Sequence, residues 1–150
     1  MTEPFSMEPN DDARATRELS LEECWERIEA APYGRVAATA AGEIDIFPVN
    51  HGVDHGTVVF RTAAGTKLLE LTINHRVAFE VDAFTATDAF SVVVKGLAEE
   101  FDHQGEVYDA ERLGITPWAP EEKDRWVRMT PTEIHGRAFA RADAQPRADS

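Results

Sequence analysis

Short apolar segments with a two-residue period dominate the middle of this sequence, and they constrain the fold more than any other feature. Such segments occur at 33–39, 44–50, 57–62, 76–84, 89–101, 125–129 and 133–140. A two-residue period places successive side chains on opposite faces of a strand, and the short turns between the first segments join antiparallel neighbours. Because the last two segments count as one strand or two, the pattern predicts six or seven mostly antiparallel strands, which suits a small closed barrel.

Three short helices are predicted around these strands. Ser20 and Glu23 have the spacing of a capping box, so the first helix begins after Ser20, and Pro32 ends it. Further helices are predicted over 66–74 and 104–113. Residues 53–56 are predicted to form a turn. Pro48 indicates that its strand lies at the edge of the sheet or contains a bulge. Gly96 indicates a kink in the long strand at 89–101.

The chain has 150 residues and is acidic, which suits one domain, and a cytoplasmic protein is expected. Segments 1–18 and 141–150 are polar and are predicted to be loose tails around a folded unit at 19–140. The net charge of -13, without a basic run, argues against nucleic-acid binding. No apolar run approaches the roughly 18 residues of a membrane span, and the first residues lack a secretion signal. Cys24 is the only cysteine, which agrees with a reducing compartment.

The main candidate site lies in the segment 58–82. The strand that carries Arg61 ends at Thr62, Gly65 allows close backbone approach, and a helix opens at Thr66 and Lys67. The unpaired N–H groups of a helix start favour an anion, and Lys67 and Arg61 add positive charge. These residues suit a phosphate group. Taken alone, they favour an ordinary capped helix with a solvated lysine over a phosphate site.

The order of several motifs resembles the pyridoxamine 5′-phosphate oxidase-like superfamily. These motifs are Gly34-Arg35-Val36-Ala37, Pro48-Val49-Asn50-His51, Phe60-Arg61-Thr62, Gly65-Thr66-Lys67 and Asn74-His75-Arg76-Val77. The resemblance spans roughly 19–140 and implies a mainly β fold, a six- to seven-stranded antiparallel split β-barrel with a few short flanking helices. It also implies a homodimer with FMN at the interface.

The resemblance also implies roles for individual residues. Arg61, Thr66 and Lys67 match the phosphate and ribityl contacts, with Gly65 in the loop before them. The strand along the isoalloxazine ring corresponds to Pro48, Val49 and Asn50, and the neighbouring strand to Phe60 and Thr62. Trp118, in a proline-flanked loop, is the candidate contribution of the second subunit. It suits equally a hydrophobic plug within one subunit.

No catalytic residue and no metal site are predicted. His51 and His55, two of the five histidines, straddle a turn without a third ligand at suitable spacing. In flavin enzymes the cofactor supplies the redox chemistry. The C-terminal TEIHGRAFARAD lacks the Arg- and aromatic-rich signature of the strict vitamin B6 oxidase, so the broader superfamily is predicted.

The expected function is that of an FMN-dependent oxidoreductase acting on an unidentified small molecule, with a nicotinamide reductant. A reductase of the same fold that uses the deazaflavin coenzyme is one alternative. A flavin- or haem-binding carrier or sensor without turnover is a second alternative. A small barrel without any cofactor is a third.

Overall fold

The computed structural model describes residues 16–62, 65, 75–102, 104–115 and 125–140. Within them the chain forms eight strands and two helices. The strands are β1 (Thr16–Glu18), β2 (Gly34–Ala40), β3 (Glu43–Val49), β4 (His51–Asp54), β5 (Thr57–Thr62), β6 (Arg76–Phe84), β7 (Asp88–Phe101) and β8 (Arg125–Ala140). The helices are α1 (Leu21–Ala30) and α2 (Gln104–Glu111).

All eight strands belong to one antiparallel sheet with the order β3-β2-β6-β7-β8-β5-β4, and β1 pairs with the far end of β8. The two edge strands, β3 and β4, are consecutive in the chain, and only Asn50 separates them. The sheet therefore curls until its edges approach each other. The predicted mainly β split barrel is confirmed, with eight strands in the described residues instead of six or seven.

Two strands account for the difference in number. Residues 16–18 lie in the predicted tail, yet they pair with Arg137–Phe139 of β8. All three side chains are exposed, so their ladder pairing leaves no apolar pattern in the sequence. The predicted turn at 53–56 is shorter than expected, because Val53 and Asp54 continue β4. The turn itself consists of His55 and Gly56, whose φ angles of 52° and 75° suit a two-residue hairpin.

The two C-terminal segments form one long strand, β8, and the predicted irregularity at Gly96 is confirmed. The β7–β8 register shifts between Lys95 and Gly96. A Cβ at Gly96 would collide with the carbonyl oxygen of Thr130, so this bulge needs glycine. The predicted capping box of α1 is confirmed: the Glu23 N–H donates to Ser20 Oγ at 3.1 Å, and the Ser20 N–H donates to Glu23 Oε1 at 2.9 Å.

Two apolar clusters lie on opposite faces of the barrel wall. The inner cluster fills the barrel and includes the fully buried Phe60 and Phe79, and α1 adds Cys24 and Ile28 to it. The outer cluster lies between the wall and α2, and its buried members are Val59, Ala110 and Trp126. Strand β5 contributes to both clusters because neighbouring side chains alternate between faces.

The predicted helix at 66–74 lies outside the described residues. No helix within the described ranges is long and apolar enough to cross a membrane.

Candidate functional site

The candidate site is centred on the point where the chain passes from β3 to β4. Strand β4 pairs with β5, and His51 lies opposite Phe60. Continuing this register by one residue sets Asn50 opposite Arg61. These two residues come from separate motifs of the sequence, and the fold brings them together at one corner of the barrel.

Three buried side-chain polar atoms have no hydrogen-bond partner within the described structure, and all three belong to residues near this end of the β4–β5 ladder. They are Asn50 Oδ1, His51 Nδ1 and Arg61 Nε. A buried polar atom without a partner costs about 1–3 kcal/mol, so such groups are rare and usually mark a missing partner. Asn50 Oδ1 and His51 Nδ1 are hydrogen-bond acceptors, and Arg61 Nε carries a hydrogen that it can donate.

Asn50 is held by its amide group. Its Nδ2 donates to the backbone oxygen of Pro32 at 3.3 Å, in the segment after α1. This contact fixes the direction of the amide, and no described residue donates a hydrogen bond to its carbonyl oxygen. The oxygen is therefore a preorganised acceptor for an N–H group of a ligand.

Arg61 lies on the outer face of the wall, above the ring of Trp126 and 4.9 Å from its centroid. Trp126 is its neighbour on β8. Beside them is a cleft of about 420 Å³. The residues that line it are Arg61, Glu100, Phe101, Asp102, Val107, Glu111, Arg125 and Trp126.

Acidic groups balance the arginines of this cleft. Arg125 is paired with Glu100, with an Nη1–Oε2 distance of 2.6 Å, and Asp102 and Glu111 add two carboxylates. Among the described lining residues, Arg61 is the cation without an ion pair. An anionic ligand therefore depends on Arg61 and on positive charge from outside this group.

The remaining predicted residues differ in accessibility. Thr62 is buried at the end of β5, and Gly65 is exposed. The side chains of Val49 and Phe60 belong to the inner cluster, so a contact with a cofactor at these positions concerns their backbone. Pro48 is exposed. Thr66, Lys67 and Trp118 lie outside the described residues.

Pro48 adjoins a charged cluster on the outer face. It lies opposite Arg35 on β2, whose guanidinium is 2.9 Å from Glu80 and 3.4 Å from Asp82. Burial raises the pKa of Glu80, and the neighbouring Asp82 raises it further. The hydrogen bond from Arg35 acts in the opposite direction but is the weaker influence.

His51 follows Asn50 directly, and contacts with α1 and the inner cluster hold its ring. Its Nε2 donates to the backbone oxygen of Ile28 at 2.7 Å, which fixes the tautomer and leaves Nδ1 as an acceptor. The ring meets Phe79 edge-on, with centroids 4.9 Å apart. Burial lowers the pKa of His51, which favours the neutral imidazole.

The other described histidines have local partners. His55 is 2.7 Å from Asp54, His75 is 3.0 Å from the backbone oxygen of Ala98, and His135 is 2.7 Å from Glu133. No group of three potential metal ligands occurs among the residues that the structure describes.

Sequence reasoning missed the side chains that surround Arg61. Trp126 and Phe101 are tilted rings with centroids 6.2 Å apart, and they come from β8 and β7. Nothing near Arg61 in the sequence points to them, because only the pairing of β5 with β8 and β8 with β7 brings them together.

Comparisons with known proteins agree with this fold. The family model described as pyridoxamine 5′-phosphate oxidase matches residues 20–138, so the chain belongs to the pyridoxamine 5′-phosphate oxidase-like family. Among curated proteins, the uncharacterized Rv0080 of Mycobacterium tuberculosis is 33% identical over 131 residues, which cover 83% of this chain and 86% of the relative.

Two solved structures are similar at both the sequence and the structure level. A Corynebacterium glutamicum protein assigned to the pyridoxamine 5′-phosphate oxidases is 41% identical, with a TM-score of 0.77, and the match covers 83% of this chain and 98% of that chain. An FAD binding protein of Mycobacterium smegmatis is 37% identical, with a TM-score of 0.72 and coverage of 82% and 98%.

Proposed function

We propose that this protein binds a flavin nucleotide at the corner formed by Asn50 and Arg61. The observation that carries the proposal is a pair of buried polar atoms, Asn50 Oδ1 and Arg61 Nε, that find no hydrogen-bond partner among the described residues. Both residues belong to motifs, Pro48-Val49-Asn50-His51 and Phe60-Arg61-Thr62, that resemble the flavin-binding segments of the family. The likeness to the FAD binding protein of M. smegmatis, at 37% identity, supports a flavin as the ligand.

The donor and acceptor properties of these residues suit the two ends of FMN. The Asn50 oxygen accepts a hydrogen bond, as the N–H on the pyrimidine edge of a flavin ring requires. Arg61 donates to ribityl or phosphate oxygens, and Thr66 and Lys67 supply the further donors that the phosphate needs. FAD would use the same contacts and extend beyond them, so the two cofactors have to be distinguished by experiment.

We further propose that the bound flavin makes the protein an oxidoreductase for a small molecule, with a nicotinamide as reductant. The flavin supplies the hydride chemistry when bound, and the protein positions it and sets its electrostatic surroundings. His51 keeps a neutral ring at the corner and holds the link at Asn50 against α1.

A second copy of the chain is the proposed partner at this site. Strand β3 pairs only with β2 within the described residues, and its side chains Ile44 and Ile46 are 71% and 68% exposed. An adjoining groove of about 680 Å³ is lined in part by Ile44, Ala78 and Leu97. An exposed apolar face of this kind on an acidic protein indicates an interface. Pro48, a proposed contact of the flavin ring, lies on the same strand β3.

The decisive experiment on the ligand is the absorbance spectrum of freshly purified protein, followed by identification of the compound released on denaturation. If the purified protein is colourless, calorimetric titration with FMN, FAD and the deazaflavin coenzyme tests whether it binds any of them. Flavin binding supports the proposal, and failure of all three ligands to bind contradicts it. Reduction of bound flavin by NADH or NADPH supports an oxidoreductase, whereas flavin that is never reduced indicates a carrier.

Two variants connect the ligand to the corner. Arg61→Ala should weaken flavin binding by about 1.5–3 kcal/mol, the usual value of a charge-assisted hydrogen bond. Arg137→Ala, which removes an exposed arginine near the other end of β8, is the matched control and should leave the dissociation constant unchanged. Equal affinity of the Arg61 variant and the wild type would exclude Arg61 from the site.

The dimer is tested by sedimentation equilibrium. Ile46→Lys should convert a dimer to a monomer and weaken flavin binding at the same time. Leu21→Lys, at an exposed leucine on α1, is the control and should do neither. Wild-type protein that is monomeric and still binds flavin would contradict the shared site but not flavin binding itself.

A further inference from the structure

A strip of apolar side chains crosses the outer face of the sheet at the end where β1 pairs with β8. It consists of Phe84 on β6, Ala89 on β7 and Phe139 on β8, and we call it the phenylalanine strip. Ala89 lies directly opposite Phe84 in the β6–β7 ladder and directly opposite Phe139 in the β7–β8 ladder. The three side chains therefore point to one face of the sheet, with the two rings on either side of the alanine.

The phenylalanine strip lies on the face of the sheet that points away from the barrel interior. Phe90 follows Ala89 in β7 and packs against the inner cluster, and neighbouring residues of a strand point to opposite faces. Phe84 and Phe139 are accordingly 71% and 39% exposed. Two exposed rings around a small residue form the kind of contiguous apolar patch that marks a contact surface.

Strand β1 brings the N-terminal segment of the chain to this strip. Its first residue, Thr16, lies directly opposite Phe139, and residues 1–15 precede the described part of the chain. Phe84 is three strand spacings away from β1, which is about 15 Å. Residues 8–15 can span roughly 26 Å when they are extended. The residues before them can therefore reach every part of the phenylalanine strip.

The sequence of the N-terminal segment suits such a contact. After the initial methionine its large apolar residues are Phe5 and Met7, and residues two apart share one side of an extended segment. Pro4 and Pro9 bracket this pair, and the residue before a proline favours extended backbone. The next residues, 10–12, are Asn-Asp-Asp, which is a composition typical of turns. The chain can therefore reverse its direction between the apolar pair and β1.

Charge does not draw this segment to the rest of the protein. The segment contains Glu3, Glu8, Asp11 and Asp12 against a single arginine, Arg14, and the whole chain has a net charge of -13. The attraction must therefore come from the apolar contact. Because salt screens the repulsion between like charges, salt should not weaken this contact.

We infer that residues 3–8 bind the phenylalanine strip of their own chain through Phe5 and Met7. A short segment of this kind binds weakly, but its connection to β1 gives it an effective concentration in the millimolar range. A dissociation constant of about 1 mM therefore keeps the segment bound for about half of the time. So weak a contact hardly changes the free energy of unfolding. The inference does not depend on flavin binding, because Arg61 adjoins Trp126 at the other end of β8.

A nitroxide spin label on the segment tests this contact in the full chain. Ser6→Cys provides the attachment site, since the native cysteine, Cys24, is only 2% exposed. In ¹⁵N NMR spectra we expect the label to broaden the amide signals of residues 84–89 and 137–140. The signals of α2, which packs at the Trp126 end of β8, should stay sharp. Raising the salt concentration to about 0.5 M should not reduce the broadening.

Variants that carry the same label identify the two sides of the contact. Phe5→Ser combined with Met7→Ser should lower the docking equilibrium constant about tenfold or more, which is the value of one buried phenylalanine. The bound fraction, and with it the broadening, should then fall about fivefold. Phe139→Ser should have the same effect from the side of the strip. Tyr108→Ser, which removes a 60% exposed aromatic ring on α2, is the matched control and should leave the broadening unchanged.

A mixed sample distinguishes the segment of the same chain from that of a second copy. Spin-labelled chains without ¹⁵N are refolded together with ¹⁵N-labelled chains that carry no nitroxide. We expect no broadening at the phenylalanine strip, and broadening as strong as in the singly labelled protein would assign the contact to a second copy and overturn the inference. Broadening that is spread evenly over the surface, that is lost at high salt or that persists in the Phe5→Ser, Met7→Ser variant would overturn it too. Because that variant alters only residues that precede every strand, it tests the contact even if Phe139→Ser does not fold.

Discussion

The two apolar clusters of this protein face each other across the same barrel wall and differ in what they support. Within the described residues, the inner cluster contains seventeen buried residues from the barrel strands, α1 and the segment before it, whereas the outer cluster contains three. Phe60 and Arg61 are neighbours on β5, yet Phe60 belongs to the inner cluster and Arg61 lies over Trp126 of the outer cluster. The period of the strand thus places a core residue and a proposed flavin contact next to each other.

This difference has a general lesson for small barrels. Side chains fill the interior of a small barrel and leave no space for a ligand there. We therefore expect ligand contacts on the outer face, at the links between strands or at the ends of the barrel. In the part of this protein that the structure describes, the buried polar atoms without partners lie at a link, at Asn50 and His51, and on the outer face, at Arg61. We therefore expect substitutions in the inner cluster to lower stability first and those outside to lower affinity first.

The largest effect is expected for Phe79→Ala. Phe79 is fully buried and contacts the His51 ring, and removing such a side chain leaves a cavity that costs about 3–5 kcal/mol. Urea unfolding measures this loss. Phe84→Ala, at a phenylalanine that is 71% exposed, is the control and should change the free energy of unfolding by less than about 0.5 kcal/mol. Similar losses of unfolding free energy in both variants would contradict the burial of Phe79 in the core.

Trp126→Leu should have a smaller effect on stability but a clear effect on flavin binding. The substitution keeps an apolar side chain in the outer cluster, so we expect a loss of about 1–3 kcal/mol in the free energy of unfolding. It removes the ring beneath Arg61, a contact worth about 0.5–2 kcal/mol, and leaves the guanidinium less ordered. Calorimetry with FMN should show weaker binding. Unchanged affinity would separate the outer cluster from the flavin site.

Ser20→Ala should cost about 1 kcal/mol of stability without any effect on the ligand. The hydroxyl accepts a hydrogen bond from the Glu23 N–H at the start of α1, and alanine cannot replace it. Thermal unfolding measures the change, and Ser20→Asp should retain most of the stability because aspartate also caps helices. A stability of Ser20→Ala equal to the wild type would show that packing alone holds α1.

The smallest effect is expected from the protonation of His51. Burial places its pKa in the folded state below the ordinary value of 6.5. The unfolded state therefore binds a proton first as the pH falls. The stability due to the neutral ring is present above pH 6.5 and is lost as the pH falls through the pKa of the folded state. The free energy of unfolding should thus decrease between pH 7 and pH 5, and His51→Gln should show a shallower slope. Equal slopes would contradict this.

Much of the fold follows from local patterns, and the exceptions have physical causes. Strands β2, β5, β6 and β7 follow from their period, and the capping box at Ser20 marks the start of α1. Strand β1 leaves no pattern because its side chains are exposed. The joining of 125–129 and 133–140 into β8 also has no local cause, since it depends on the bulge against β7 at Gly96.

The candidate site was predictable in its residues but not in its geometry. Asn50 and Arg61 follow from motifs that resemble a known family. Their adjacency depends on the β4–β5 register, and the expected turn at 53–56 concealed half of β4. Trp126 is remote from both in the sequence and reaches Arg61 only through the pairing of β5 with β8.

The link at Asn50 also determines how the barrel tolerates being cut. Because the edge strands β3 and β4 are consecutive, one peptide segment joins both edges of the sheet. A circular permutant with new termini at 50 would keep every strand pairing, but its two edge strands would no longer be linked to each other. Unprotected edge strands pair with strands of other chains. Such a permutant should form intermolecular sheets far more readily than a permutant opened in the hairpin turn at 41–42. In that second permutant the peptide link between β3 and β4 is kept.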